Sequence, residues 1–464
     1  MKPKFREESD SIGKIKIEKN KYWGAQTQRS LENFKIGNDV MPPEIIYSFA
    51  LQKKAAAISN IALQKLDMNL GEKIIQVCDE IILGKLNNHF PLSVWQTGSG
   101  TQTNMNMNEV IANRSNELLG KKLGTYKPIH PNDHCNMGQS SNDSFPTVIN
   151  ITIINLSNNK LVPCLKEFSR VLEKKKNEFS EIIKIGRTHY QDATPLSLGS
   201  EFGAFESQIN HCLVRINNSL EELYYLAQGG TAVGTGLNSS NQFSVGFVKA
   251  LEKMIGVKFK NSTNYFESLS SHEAILSFSG AINTLVSTCY KISNDVRLLS
   301  SGPRCGINEI IIPANEPGSS IMPGKVNPTQ CEALAQVCIY LQGIHFSISN
   351  ACSQGSLQLN TNKTLLAFAV VKSINLINDA IHSFVSNCLI GIKANKEKIS
   401  ENLNNSLMLV TALNPKIGYT KAAAIAKLAF EKNITLRDAA KELNYLDFKE
   451  FDEIVDPKKM IKSN

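Results

Sequence analysis

The stretch Ile275–Leu299, ILSFSGAINTLVSTCYKISNDVRLL, decides the fold of this chain. Apolar residues recur along it in alternating steps of three and four positions: Ile275, Phe278, Ile282, Leu285, Cys289, Ile292, Val296 and Leu299. Steps of this kind place all eight side chains on one face of a helix and form a seam more than three heptads long. The pattern predicts a helix over 268–300 that packs lengthwise against other helices.

Helical periodicity extends over most of the chain. It predicts helices near 44–67, 71–85, 104–119, 147–184, 196–226, 327–348 and 363–389, with Pro163 kinking or restarting the fourth. Residues 1–45 are polar and are predicted to be irregular. Long helices with few strand signals predict an all-α fold built on a central long-helix bundle. We predict three domains: a mostly helical N-terminal domain (1–139), the bundle (140–396) and a small helical C-terminal domain (397–464). A seam this long also favours an oligomer.

Composition restricts the function. The chain has 464 residues and a net charge of +8, with 50 Lys and Arg scattered among 42 Asp and Glu. Scattered charge argues against a nucleic-acid partner and is compatible with a small anionic substrate. The ten cysteines contain no CxxC pair, so a disulfide framework, a zinc site or an iron–sulfur site is not expected. Without a secretory signal or a membrane-spanning run, a cytoplasmic location is expected and a membrane partner is not.

Four polar breaks stand at the ends of predicted helices, at 96–106, 130–144, 186–195 and 318–327. Helix capping and Gly/Pro connectors would explain each of them singly. If the fold or an oligomer brings them together, they supply hydroxyls, amides and a cation around a single proton-transfer group, His189. That combination suits binding of a dicarboxylate and stabilisation of an enolate-like dianion. The pooled residues are Thr101, Ser140, Ser141, Asn142, Thr188, His189, Ser319, Ser320, Lys325 and Asn327.

The same breaks carry a resemblance to a known family. GSSIMPGKVNP at 318–328, HPND at 130–133 with QSSND at 139–143, GRTHYQDATP at 186–195 and YWGAQTQRS at 22–30 resemble signatures of the fumarase/aspartase superfamily. The resemblance covers about 5–460, in the family's order. His189 and Ser141 resemble class II fumarases, because aspartases usually have GRTQ and STND at these positions.

The resemblance implies a metal-independent hydro-lyase, with no cofactor, that interconverts fumarate and L-malate by anti addition of water through an aci-carboxylate intermediate. Ser319 would be the base, and His189, oriented by Glu332, would help to protonate the departing hydroxyl through a bound water. Lys325 and Asn327 would hold the aci-carboxylate. Substrate binding would be completed by Ser99, Gly100, Thr101, Ser140, Ser141, Asn142, Thr188 and Ser320. His130, Asn132 and Asp133 match a second, non-catalytic dicarboxylate site. The family also implies a homotetramer whose active sites are shared by three subunits.

Some positions depart from the family pattern. Met137 and Gly138 replace a usual Lys-Ser, Asn308 a usual Gly and Ala314 a usual Glu, while Asn362 and Thr364 flank Lys363 where Phe-Lys-Pro is common. None removes a proposed catalytic group. Two alternatives remain open: an aspartate ammonia-lyase, and a non-catalytic helical scaffold protein of lyase descent.

Overall fold

Long helices dominate the structure, which is a computed structural model describing residues 4–461. Within that range there are 17 α-helices and eight strands of two to seven residues. The α-helices are α1 (Ala25–Asn33), α2 (Pro43–Ala62), α3 (Met68–Ile82), α4 (Thr101–Leu118), α5 (Ser141–Leu156), α6 (Val162–Glu178), α7 (Leu198–Leu220), α8 (Asn241–Ile255), α9 (Tyr265–Ser270), α10 (Glu273–Leu299), α11 (Thr329–Ser353), α12 (Lys363–Asn387), α13 (Lys396–Asn405), α14 (Asn414–Ile417), α15 (Tyr419–Lys432), α16 (Leu436–Glu442) and α17 (Phe448–Ile454).

The strands pair two by two, so no extended sheet forms among the described residues. They are β1 (Phe5–Asp10), β2 (Gly13–Glu18), β3 (Ile183–Thr188), β4 (Gln191–Ser197), β5 (Tyr225–Leu226), β6 (Lys260–Asn261), β7 (Ile310–Ile311) and β8 (Lys393–Ala394). β1–β2, β3–β4 and β7–β8 are antiparallel and β5–β6 is parallel. The predicted all-α class is confirmed.

The seam that predicted helix 268–300 is buried along its whole length in α10: each of its eight apolar residues is less than 9% exposed. The predicted kink or restart at Pro163 coincides with a π-helical turn rather than a break. α5 continues through Ser157–Leu161 into α6 with helical backbone angles on both sides, and Pro163 is the second residue of α6.

Two predictions of local structure were wrong. Residues 1–45 contain the β1–β2 hairpin and α1 rather than irregular chain, because backbone pairing and the Arg6–Glu8 and Arg29–Asp10 ion pairs hold the charged strands. The predicted helix 147–184 ends at Glu178, and the polar break after it is the β3–β4 hairpin. In IKIGRT at 183–188, Lys184 and Ile185 are both buried, and the register of the strand shifts between Ile185 and Arg187.

The chain divides into two compact units, each assembled from separate segments. Unit 1 comprises 1–162, 214–284 and 340–377, and unit 2 comprises 163–213, 285–339 and 378–464. Helices α7, α10, α11 and α12 contribute residues to both. In unit 1, α2 packs against α3, α5 and α8. In unit 2, the C-terminal helices enclose a small apolar core around Leu413, Ile425 and Ala439.

Segment Lys363–Gly391 is the one described helix that is long and apolar enough to cross a membrane, and 56% of its most apolar window is buried in the protein. A core helix satisfies the same criterion, and Leu366, Ile374 and Ile381 are fully buried. All ten cysteines are free, and seven of them are buried.

Candidate active site

In unit 1, two of the polar breaks meet where α4 and α5 begin. The hydroxyls of Ser99 and Thr101 are 3.0 Å apart, and the Thr101 hydroxyl is 2.8 Å from that of Ser141. Gly100 caps α4 with a φ of +76°, and a Cβ there would lie 2.0 Å from the Phe145 ring, so only glycine fits. Two helix N-termini with hydroxyls between them are suited to hold an anion.

The start of α5 is fixed by a capping box. The Asn142 amide donates to the Ser140 hydroxyl at 3.2 Å, and the Ser140 amide donates to Asp143 at 2.9 Å. The second carboxylate oxygen of Asp143 accepts from the amides of Gly229 and Thr231, at 2.9 and 3.0 Å. Burial raises the pKa of Asp143, against the effect of these amides. The glycine-rich segment after residue 228 is thereby held against the substrate-binding residues proposed in QSSND.

In unit 2, the loop 318–328 is closed by its own backbone. The Gly318 amide donates to the Lys325 carbonyl at 2.9 Å, and the Asn327 side-chain amide donates to the Gly318 carbonyl at 2.6 Å. A Cβ at Gly318 would lie 2.4 Å from the Lys325 oxygen, so this closure requires glycine. Lys325 and Ser320 are exposed on the loop, where they are free to meet a solute.

The Ser319 hydroxyl oxygen accepts two backbone hydrogen bonds inside this loop. They come from the amides of Ile321 at 3.2 Å and Met322 at 3.0 Å. Two N–H groups directed at one oxygen stabilise negative charge on it, as in an oxyanion hole. A free serine hydroxyl is a weak base, and a serine that acts as a base needs stabilisation of this kind.

His189 lies at the tip of the β3–β4 hairpin. Thr188 pairs with Gln191, and the two residues between them, His189 and Tyr190, have φ values of +55° and +60°. Two positive φ values are those of a type I′ turn, which favours Asn and Gly. Both side chains are exposed. Neither residue is the Asn or Gly that this turn favours, so both adopt a backbone conformation that is uncommon for residues other than glycine.

The base of this hairpin is anchored by a buried carboxylate. Arg187 donates to both oxygens of Glu309 at 3.0 Å, and Lys184 lies 3.0 Å from the same group. Burial would raise the pKa of Glu309, but Arg187 and Lys184 outweigh it and the pKa is lowered. The planar guanidinium and the carboxylate form a bidentate pair, which fixes the orientation as well as the distance.

An open cavity of about 950 Å³ in unit 2 is lined by Tyr190, Lys325, Asn327 and Glu332. A second, of about 470 Å³, lies against Ser319 and Lys325. The hairpin tip and the loop therefore border common space, although His189 is not among the lining residues. Between residues 4 and 461, no hydrogen bond joins His189 to Glu332, so their pairing stays a prediction. Glu332 is exposed in the first turn of α11.

His130, Asn132 and Asp133 lie around a π-helical turn, Pro131–Cys135, in unit 1. The His130 Nδ1 accepts from the amides of Asn132 and Asp133, both at 3.3 Å, and lies 3.2 Å from the Asp133 carboxylate. Nδ1 is thus engaged within the turn, and Nε2 is the ring atom left to meet a ligand. The Asn132 and Asp133 side chains are exposed.

The predicted residues fall into two sets. Unit 1 contains Ser99, Gly100, Thr101, His130, Asn132, Asp133, Ser140, Ser141 and Asn142, and unit 2 contains Thr188, His189, Ser319, Ser320, Lys325, Asn327 and Glu332. In the described part of the chain, no group of three or more His, Cys, Asp or Glu is placed to hold a metal ion. The structural roles of Asp143 and Glu309, which hold neighbouring segments of the chain in place, were not predicted. Asp143 was visible in QSSND, whereas nothing in the sequence around Glu309 indicates its partner.

Two departures from the family pattern fit the backbone. Gly138 has a φ of +71° and Asn308 a φ of +46°. Asn is among the few residues other than glycine that adopt this conformation readily, so Asn308 can stand where the family usually has Gly. The structure gives no reason for Ala314, Asn362 or Thr364.

Comparisons with known proteins agree over nearly the whole chain. A family model described as "Lyase" matches residues 13–343, and one described as "Fumarase C C-terminus" matches 409–462. "Fumarate hydratase class II 2" of Bradyrhizobium diazoefficiens is 52% identical over 461 residues, covering 99% of this chain and 98% of the relative. "Fumarate hydratase, mitochondrial" of Saccharomyces cerevisiae is 52% identical over 463 residues, covering 99% and 95%.

Solved structures give the same result. The crystal structure of a recombinant class II fumarase from Schistosoma mansoni superposes with a TM-score of 0.96 at 44% identity and covers 98% of this chain and 99% of its own. A fumarate lyase:delta crystallin from Brucella melitensis, bound to cobalt, superposes with a TM-score of 0.95 at 38% identity, covering 99% and 100%.

Proposed function

Because the chain belongs to the class II fumarase family and is therefore a hydro-lyase, we propose that it catalyses the reversible anti hydration of fumarate to L-malate. This is a reaction of the tricarboxylic acid cycle. The observation that carries the proposal is the Ser319 hydroxyl, whose oxygen accepts two amide hydrogen bonds on an exposed loop beside Lys325. The reaction needs a base beside a carboxylate-binding cation, and the loop offers both.

In the malate-to-fumarate direction, Ser319 Oγ takes the proton from C3. The electron pair moves into the adjacent carboxylate, and Lys325 and Asn327 hold the resulting aci-carboxylate. The C2 hydroxyl then leaves as water, with His189 taking part in its protonation through a bound water and Glu332 orienting the imidazole. Ser99, Gly100, Thr101, Ser140, Ser141, Asn142, Thr188 and Ser320 bind the substrate. No metal or cofactor takes part in these steps.

The active molecule is proposed to be a homotetramer with each site shared by three subunits. Large apolar side chains exposed on long helices support an oligomer: Val214 of α7 is 56% exposed, and Ile339 and Phe346 of α11 are 56% and 72% exposed. If each active site is shared by several subunits, His189 of one chain can pair with Glu332 of another. The division into domains 1–139, 140–396 and 397–464, a dicarboxylate at His130, Asn132 and Asp133, and a cytoplasmic location are part of the same proposal.

The test of the reaction is absorbance near the ultraviolet edge, measured after mixing the purified protein separately with L-malate and with L-aspartate. We expect a rise with malate alone, unchanged by a chelator. A rise with aspartate together with ammonia would establish the ammonia-lyase alternative. No rise with either substrate, from a folded oligomer, would indicate the scaffold alternative.

The role of Ser319 is tested by Ser319→Ala. Loss of the base should lower kcat by about 10²–10⁴-fold, the range typical of a proton-transfer group, with a smaller change in KM. Ser320→Ala, on the same loop, should act mainly on KM. Near-normal kcat in Ser319→Ala would clear Ser319 of this role.

A further inference from the structure

Lys363, the first residue of α12, is a buried cation behind the substrate-binding residues proposed in unit 1. Its side chain has no exposed surface. Its Nζ donates to the Asn142 carbonyl at 3.3 Å, and its backbone amide donates to the Gly98 carbonyl at 2.8 Å. One residue therefore contacts both chain segments that bear the hydroxyls of Ser99 and Ser141.

The contact with the segment before Ser99 is very close. A Cβ at Gly98 would lie 1.3 Å from the Thr361 carbonyl oxygen, so the two backbones approach in a way that only glycine permits. Any shift of the chain at 361–363 would therefore move the segment that starts α4. The position of Lys363 is coupled to the position of the proposed anion site.

The charge of Lys363 has no carboxylate partner. Within residues 4–461, no carboxylate oxygen lies within 4.0 Å of the Lys363 Nζ. The one hydrogen bond that this Nζ donates is the bond to the Asn142 carbonyl. Asp143 is nearby, but its oxygens accept from Ser140, Gly229, Thr231 and Gln228. A buried ammonium without an anion is costly, so an anion that binds nearby is favoured.

Two other titratable groups act on Lys363. Burial lowers the pKa of Lys363 to about 7, and the charge of Asp143 opposes that shift. His272 is buried and its pKa is about 3, lowered by burial and by the charge of Lys363, so it is neutral above that pH. Lys363 therefore changes its charge near neutral pH, while burial also raises the pKa of Asp143 above its ordinary value.

We propose that Lys363 is a positioning residue that holds the Gly98 and Asn142 backbones together and supplies a buried positive charge that favours binding of the dicarboxylate. This rests on the proposed fumarase function. Lys363 does not contact the substrate in this proposal. Lys363 acts by holding the two backbone segments in place and through the electrostatic field of its charge.

The proposal has a pH signature. Below pH 7 the ammonium is charged and dicarboxylate binding is strongest. As the pH rises through 7 the group loses its proton, so binding weakens. Conversely, a bound dianion raises the pKa of Lys363, and binding near pH 7 takes up protons from solution.

The first experiment compares Lys363→Gln, which keeps a donor and removes the charge, with Lys363→Arg, which keeps the charge. KM and kcat for L-malate, and the Kd of succinate as a non-reacting dicarboxylate, are measured from pH 6 to 8.5. At pH 6 we expect Lys363→Gln to raise KM and Kd about tenfold and to change kcat less than about threefold, as expected for loss of one shielded charge. The difference should shrink towards pH 8.5, and Lys363→Arg should recover part of it.

Lys175→Gln is the matched control. Lys175 is also a buried lysine, only 5% exposed, that donates to a backbone carbonyl, that of Ile392, at 2.7 Å in unit 2. The Lys175→Gln variant should leave the pH dependence of KM unchanged. An equal KM in Lys363→Gln and wild type at pH 6, or the same loss at every pH, would overturn the role of the charge. A wild type that neither converts malate nor binds succinate would instead refute the proposed function.

A second measurement keeps the proposal testable if the Lys363 variants do not fold. Succinate binding is followed by calorimetry at pH 7 in buffers of different ionisation enthalpy, in a His189→Asn background so that His189 cannot supply the signal. Uptake of a fraction of a proton per site is expected. Binding without proton uptake would contradict a Lys363 charge coupled to the ligand.

Discussion

At the scale of the residue, the candidate site uses side chains in conformations that sequence does not reveal. His189 and Tyr190 both have positive φ, and neither is Asn or Gly. A residue of this kind adopts such a conformation at a cost of about 1 kcal/mol or more, which the flanking strands must offset. The conformation of His189 therefore lowers the local stability of the hairpin turn.

This gives a prediction that separates stability from activity. His189→Asn should keep or raise the thermal midpoint, because Asn adopts positive φ more readily than His. Its kcat should fall by about 10²–10⁴-fold, because Asn cannot transfer a proton. Thermal unfolding and malate kinetics on the same preparation measure both. A variant that loses stability and activity together would show that the imidazole acts in packing.

The sequence identified the polar breaks but not the groups that support them. Capping chemistry and the family resemblance placed Ser140, His189 and Ser319 at helix ends and in loops. The partners Arg187 and Glu309 are 122 positions apart, and Lys363 and Asn142 are 221 apart. Such pairs depend on tertiary packing, and no local pattern in one sequence reports them.

At the scale of the element, prediction succeeded where periodicity was long. The α10 seam spans 25 residues with regular spacing, and every one of its positions is buried. Short strands such as β1, with the sequence FREESD, have no apolar alternation and were missed. Their stability comes from cross-strand pairing and ion pairs, which depend on a partner strand rather than on the strand's own composition.

The seam can be tested by a single truncation. Leu285→Ala removes a fully buried side chain from α10 and should lower the free energy of unfolding by about 2–5 kcal/mol. Ser277→Ala, at an exposed position of the same helix, should change it by less than about 0.5 kcal/mol. Denaturant unfolding measures both. Equal effects would mean that α10 is not a core helix.

At the scale of the whole molecule, the exposed apolar residues of α11 allow the proposed oligomer to be tested. Phe346→Asp should produce a smaller species by light scattering and should reduce activity in proportion, because shared sites would be incomplete. Phe430→Asp is the control: Phe430 is similarly exposed, but it lies on the shorter helix α15 next to the C-terminal core rather than on a long helix, and we expect no change of mass. A fully active single chain would refute shared active sites.

The interleaving of the two units has a consequence for biosynthesis. Unit 1 begins with the first segment of the chain but needs residues 340–377 as well, and unit 2 needs the chain as far as its last segment, 378–464. During translation, neither unit can be completed before α12 has left the ribosome. Most of the chain is therefore expected to stay partly folded until that point. Fragments cut between helices are expected to be insoluble, and this protein should depend on chaperones early in its life.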